Sequence, residues 1–184
     1  MNQTIDVVQT PVLPAVGGRS RLSDFMTLTK PGITVMVAIT AAVGFYVASQ
    51  AGFDWKIFLH LIGGTLVSSA GAAALNMLME RKLDAKMDRT KFRPLVTGRM
   101  APVEAAVFGG VLCAAGLTWL ALGTNLLTAA LSAATMVSYL VLYTPLKTKS
   151  SVCTLVGAIP GALPPVMGWA AARGSLEMGA GSCS

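Results

Sequence analysis

Asn76, Glu80, Asp84 and Asp88 recur every fourth residue in the stretch NMLMERKLDAKMDRTKFRP, Asn76 to Pro94. On an α-helix that interval returns to nearly the same face, with a rise of roughly 6 Å per step. An amide and carboxylates stacked on one face make a ladder of oxygen ligands for a hard cation. Mg2+ typically takes one or two carboxylates and completes its shell with water and substrate phosphate. Arg89, Lys91 and Arg93 follow at once and could hold the anionic group that such a metal brings with it. The stretch holds three of the chain's eight acidic residues and six of its fourteen basic ones. A solvated helix end with i,i+4 pairs shows the same alternation, and a membrane loop is often basic. Spacing alone leaves these readings open.

The elements that must position the ladder are apolar. Of 184 residues, 54% are hydrophobic and only 12% are charged, with a mean hydropathy of +0.66. That composition implies an integral membrane protein, an all-α polytopic helix bundle whose first partner is the lipid bilayer. A net charge of +6 would suggest nucleic acid in a soluble chain. Here the bases gather in a few loops between apolar runs, which fits membrane topology and argues against a nucleic-acid partner. Cys113, Cys153 and Cys183 form no CxxC pair and no disulfide or zinc framework, and read as small apolar filler. No secretory h-region is expected in the first thirty residues, because Val12 to Val16 is short and flanked or broken by Pro11 and Pro14. Residues 1–23 are expected to be a flexible cytosolic arm.

Five apolar helices are expected. The first runs from about Gly32 to Ala51 behind Lys30-Pro31, and the second from about Ile57 to Met79. The third runs from Pro102 to about Leu122, the fourth from about Leu126 to Tyr143, and the fifth from about Val152 to Ala172. Pro160, Pro164 and Pro165 predict a broken or kinked fifth helix. The small residues of the second, such as Gly63, Gly64, Ser68 and Gly71, allow close helix contact. Twelve of the fourteen Lys and Arg fall before the first helix, between the second and third, or between the fourth and fifth. Only Lys56 and Arg173 fall on the other side. The positive-inside rule therefore makes the N-terminus, the charged loop and the TPLKTK loop cytoplasmic.

That orientation brings Tyr143 and Lys147, one helical turn apart, to the same face as the ladder. A hydroxyl donor and a point charge suit a diphosphate, although an interfacial tyrosine and a snorkelling lysine look the same in sequence. His60, the single histidine, lies at the opposite face, where an interfacial role and a haem ligand are both conceivable. Trp55, Trp119 and Trp169 fall toward that far face, as an aromatic belt would.

Together these residues resemble the UbiA superfamily of intramembrane prenyltransferases, and within it the protoheme IX farnesyltransferase (haem O synthase) branch. Asn76, Glu80 and Asp84 match the superfamily's N-x-x-x-D/E-x-x-x-D. DAKMDRTKFRPL, Asp84 to Leu95, is similar to the haem branch's DAxMxRTxxRPL. LTKPGI (Leu28 to Ile33), YTPLK (Tyr143 to Lys147) and GAIPGALPPVMGWAA (Gly157 to Ala171) resemble further segments of that branch. The likeness runs from about Asp24 to Ala180, so residues 24–178 are expected to form the N-terminal part of a prenyltransferase membrane domain.

The resemblance implies farnesyl transfer from farnesyl diphosphate to a vinyl group of haem B, in the making of the cytochrome oxidase cofactor. Asn76, Glu80 and Asp84 would hold Mg2+ on the diphosphate. Arg89, Arg93, Lys147 and Tyr143 would neutralise the departing oxygens, Lys147 and Tyr143 acting as catalytic residues. Haem B would be substrate rather than cofactor, and haem A synthase or oxidase-assembly proteins would be partners. The setting would be a bacterial inner membrane. The pattern asks for no acid at Asp88, which is left out of the site. The family continues to about nine helices, with a second acidic motif and a histidine-bearing segment that this sequence lacks. Residues 179–184 therefore read as an aberrant or artificial tail, and the chain alone is expected to be inactive. A UbiA-type aromatic prenyltransferase for quinone precursors and a non-catalytic membrane fragment are the alternatives. A transporter would carry charge in mid-helix, and none of the five helices does.

Overall fold

The computed structural model describes residues 20–49, 52–146 and 153–181, with the backbone alone for 145, 153–156 and 175–181. The described residues are helical throughout, joined by turns, and contain no strand. A short helix, α1 (Arg21–Leu28), precedes α2 (Pro31–Ala48), α3 (Trp55–Asp84) and α4 (Pro102–Gly123). Then α5 (Leu126–Val137) widens into a π-helical stretch, Ser138–Tyr143, and closes in the short α6 (Thr144–Leu146). The last helix is α7 (Cys153–Gly181).

Local chemistry sets the helix starts. Asp54 Oδ1 accepts from the amides of Lys56 at 2.8 Å and Ile57 at 3.3 Å, capping α3. Asn125 Oδ1 accepts from the Thr128 amide at 2.8 Å to cap α5, while its Nδ2 donates to the Ala170 carbonyl of α7 at 3.0 Å. Pro31 and Pro102 stand in the first turns of α2 and α4, where a missing N–H leaves no gap. Glu104 Oε2 reaches back to the Ala101 amide at 3.0 Å. α1 begins inside the expected arm. Its Arg21 lies 3.5 Å from Glu104, Asp24 lies 3.1 Å from Arg99, and the Phe25 ring meets Phe108 at 4.8 Å.

α2, α3, α4 and α5 with its π-helical continuation are each long and apolar enough to cross a membrane. The bundle is apolar on the outside: Met36, Ile39, Val43 and Val47 of α2 are exposed, as are Val103, Val107 and Val111 of α4. Its interior is also largely apolar, with Leu28, Phe45, Leu61 and Leu120 buried, but it takes in polar groups as well, among them Asn76, Glu80 and Asp84. An apolar exterior of this kind suits lipid as solvent, and the polar side chains are kept inside. The helices are neighbours in a ring, α3 against α4, α4 against α5, α5 against α7, α7 against α2 and α2 against α3.

Two crossings bring backbones into contact. A Cβ on Gly44 would sit 2.0 Å from the Pro165 carbonyl oxygen, and one on Gly168 would sit 2.0 Å from that of Ala41. On α3, a Cβ on Gly71 would lie 2.7 Å from the Cys113 amide nitrogen of α4. The small-residue faces read from the sequence are thus filled by neighbours within this chain. α7 runs on through Pro160, Pro164 and Pro165 as one helix, so of the expected break or kink the break does not occur. Each proline removes one N–H, so the carbonyls of Val156, Pro160 and Gly161 lose their helical donor. The tight Gly44–Pro165 and Gly168–Ala41 contacts brace the helix immediately beyond.

Candidate active site

α3 is longer than its apolar run suggests, and the extra turns decide the ladder. It continues past Met79 to Asp84, so Asn76, Glu80 and Asp84 all lie on helix and are 1%, 8% and 4% exposed. Asp88 falls after the helix ends. Its side chain is 98% exposed and pairs with Lys91 at 2.8 Å, a hydrogen bond that, with the charge of Lys91, holds its carboxyl below the usual range. The four-residue spacing that put Asp88 on the same face applies only while the chain is helical. The ladder has three rungs.

Burying two carboxylates requires compensating donors. Arg93 Nη1 lies 2.5 Å from Asp84 Oδ2, and the Thr90 hydroxyl donates to the Asp84 carbonyl at 2.9 Å. These contacts fold the charged segment back over the end of α3. Leu95 and Met100 pin it, packing with Leu28, Ala74, Met77 and Ala105. At the other end of the ladder, Asn76 is held at both amide atoms. Its Nδ2 donates to Thr144 Oγ1 at 3.0 Å, and its Oδ1 accepts from Lys30 Nζ at 2.8 Å. Thr144 in turn donates to the Tyr139 carbonyl at 2.9 Å, five residues back, across the wide turn of the π-helical stretch.

The three rungs face one cavity of about 1240 Å³. Asn76, Glu80, Asp84, Arg89, Arg93 and Tyr143 line it, so six of the seven residues predicted from sequence share one chamber. Lys147, the seventh, lies outside the described residues. Tyr143 packs over Gly157 of α7, where a Cβ would come within 2.9 Å of its ring, and its ring stacks on that of Tyr139 at 5.7 Å. Among the described residues, no three His, Cys, Asp or Glu converge as a metal site by themselves. The oxygen donors here are two carboxylates and an amide, a set suited to a hard cation that retains water or phosphate oxygens.

Two wall residues, Lys30 and Tyr139, and one that braces Asn76 from behind, Thr144, were missed in sequence. Lys30 counted there only as a topogenic base, yet it reaches Asn76 and lines the cavity. Tyr139 falls within the expected fourth helix and Thr144 opens the TPLKTK loop, neither with an assigned role there. Their available signal was position: Thr144 lies within YTPLK, and Lys30 within LTKPGI. His60 sits far from this chamber, where its Nδ1 accepts from Trp119 Nε1 at 2.9 Å, a contact of the interfacial kind.

The UbiA prenyltransferase family matches residues 37–183 of the chain. The chain is 45% identical over 174 residues to a protoheme IX farnesyltransferase of Koribacter versatilis, an overlap of 92% of this chain and 56% of that one. It is 40% identical over 167 residues to the protein of that name from Azotobacter vinelandii, covering 90% of this chain and 56% of the relative. With the Xylella fastidiosa protein of that name it shares 41% over 160 residues, 84% of this chain and 53% of the other. The chain thus spans about half the length of the curated relatives it matches. No solved structure matches it. An apolar-faced helical bundle with its buried acids grouped at one end, and a match over most of its length, agree: the chain belongs to the UbiA prenyltransferase family.

Proposed function

We propose that this chain supplies the diphosphate-holding side of a centre that transfers a farnesyl group from farnesyl diphosphate to a vinyl group of haem B. The observation that carries this is the three-rung ladder of Asn76, Glu80 and Asp84, buried yet facing a large chamber walled by Arg89, Arg93 and Tyr143. The names of the relatives, protoheme IX farnesyltransferase, supply the acceptor.

The ladder fits a divalent metal. Two carboxylates and an amide supply its oxygen donors, and two of these oxygens now hold cationic partners, Asp84 Oδ2 with Arg93 and Asn76 Oδ1 with Lys30, so they are already oriented toward positive charge. Asn76, Glu80 and Asp84 would hold Mg2+, which when bound supplies Lewis-acid stabilisation of the leaving diphosphate. The protein's own groups do the rest. Arg89 and Arg93 meet the negative charge that grows on the departing oxygens, and the Tyr143 hydroxyl donates to them. Lys147 joins them in this reading as a point charge. Cleavage of the allylic C–O bond releases diphosphate and leaves a farnesyl cation, which the vinyl carbon attacks, and a water adds to the resulting cation and gives up a proton to leave a hydroxyl. The apolar bundle keeps bulk water from the allylic cation before that attack.

The bacterial relatives support an inner-membrane setting, and the charge asymmetry supports the N-terminus and the chamber on its cytoplasmic side. The test is binding of a non-hydrolysable farnesyl thiolodiphosphate to the chain in lipid nanodiscs, with and without Mg2+. Mg2+-dependent binding that Asp84→Asn abolishes is the expected result. Binding that ignores both Mg2+ and Asp84 would overturn the reading.

A further inference from the structure

We propose that Lys30 and the divalent cation compete for one ligand, the side-chain oxygen of Asn76, and that Lys30, once displaced, is the ammonium that meets the diphosphate. This deepens the function proposed above and rests on it. It adds a residue that the catalytic motifs do not contain.

The geometry begins with the backbone. Lys30 has φ 44° and ψ 63°, and is the only non-glycine residue with positive φ among those described. That conformation is costly for a residue with a Cβ, and a following proline further restricts the backbone. Strain of this kind persists where the surroundings hold it. Here the Ile33 and Thr34 amides donate to the Lys30 carbonyl at 3.0 and 3.2 Å, and the Thr34 hydroxyl donates to the Thr29 carbonyl at 2.8 Å. A lysine opening a transmembrane helix ordinarily extends outward to the headgroups. Lys30 turns inward instead, to a side chain that is 1% exposed.

The Asn76 amide is oriented by its second contact. Because Nδ2 donates to Thr144, Oδ1 must face Lys30, and the rung nearest the membrane interior presents its oxygen to an ammonium. An amide oxygen within reach of both a divalent cation and an ammonium cannot serve both closely, since the two charges repel in a partly buried setting. Lys30 also stands at a junction. It lines the large chamber and a narrower cavity of about 110 Å³ that runs into the bundle past Thr65, Ala72 and Met136. An ammonium at that junction lies where the charged end of an amphiphile would rest if its tail entered the narrower cavity. Four rotatable carbons let it change partner without moving the helix.

The competition has a signature in sign. In nanodiscs, Mn2+ binding by the chain is read by electron paramagnetic resonance, first alone and then with farnesyl thiolodiphosphate. Lys30→Met is expected to bind Mn2+ alone roughly tenfold more tightly than the wild type, having lost the competing cation. With the diphosphate present, the order should reverse, Lys30→Met binding the pair roughly tenfold more weakly. Lys30→Arg should follow the wild type in the second measurement. A residue that merely supported the fold would, on removal, weaken both, and thermal unfolding of each variant identifies that case. Unchanged Mn2+ affinity in Lys30→Met, or weakening in both measurements, would overturn the competition while leaving the ladder intact. Failure of the wild type itself to bind Mn2+ would overturn the ladder and the competition together.

Discussion

Arg93 reaches back nine residues to place its guanidinium 2.5 Å from the buried Asp84 carboxylate, where α3 ends. The contact joins the last rung of the ladder to the loop that follows it. It makes one unit of two features that sequence presents separately, a helical row of acids and a basic stretch. Arg93 is three-quarters or more covered, so the pair is not an ordinary surface ion pair.

Asp84→Asn is therefore expected to reduce Mg2+-dependent diphosphate binding, and prenyl transfer wherever it is measured, by about 100-fold or more. Arg93→Gln should also cost stability, because it leaves a buried carboxylate without its guanidinium. Asp88→Asn should stay within about twofold, since its side chain points to solvent. Calorimetric titration of the three variants checks the order. An Asp88 effect as large as that of Asp84 would restore the fourth rung.

The α2–α7 crossing should tolerate no side chain. Gly168→Val and Gly44→Val each drive a branched side chain into a carbonyl oxygen, and overpacking of this kind costs about 1–3 kcal/mol or more. Gly110→Ala, on an open face of α4, should be neutral or slightly stabilising. Unfolding of the three proteins in mixed detergent would show the contrast, and equal midpoints would contradict the crossing.

Sidedness can be read chemically. With the native cysteines replaced, single cysteines at Lys91 and Gly52 should react with impermeant maleimide from opposite sides of a sealed vesicle, because α3 separates them. Reaction from one side would sink the orientation and the shared chamber together.

Asp88 offers a pH test outside the membrane. Its carboxyl is held below the ordinary 3.8, first by the Lys91 hydrogen bond and then by the Lys91 charge. A depressed carboxyl stabilises the folded state above the unfolded value and loses that contribution as pH falls through the folded one. Lys91→Met should thus raise the Asp88 midpoint toward 3.8 in a carboxyl NMR titration, with little effect on stability near neutrality because the pair is solvated.

Much of this protein was legible in its sequence because the bilayer imposes a simple rule. Apolar runs of sufficient length must be helices, since lipid satisfies no backbone group, and the placement of Lys and Arg orients them. That yielded the helix order and the common face of Asn76, Glu80, Asp84 and Tyr143. Only tertiary structure decided where helicity stops. α3 ends at Asp84 rather than Met79, so Asp84 shares the helix with Asn76 and Glu80 while Asp88 lies beyond it, a division that the four-residue spacing alone did not make. Leu95 and Met100 pack there with Leu28 and Met77. Tertiary contact likewise carried α7 through three prolines and gave the end of α5 its π-helical turn, which sets Thr144 against Asn76. The same holds for Lys30, whose role depends on a partner 46 residues away and on a left-handed backbone that no local pattern announces. Hydropathy reads one helix at a time, whereas these features exist only where two helices meet.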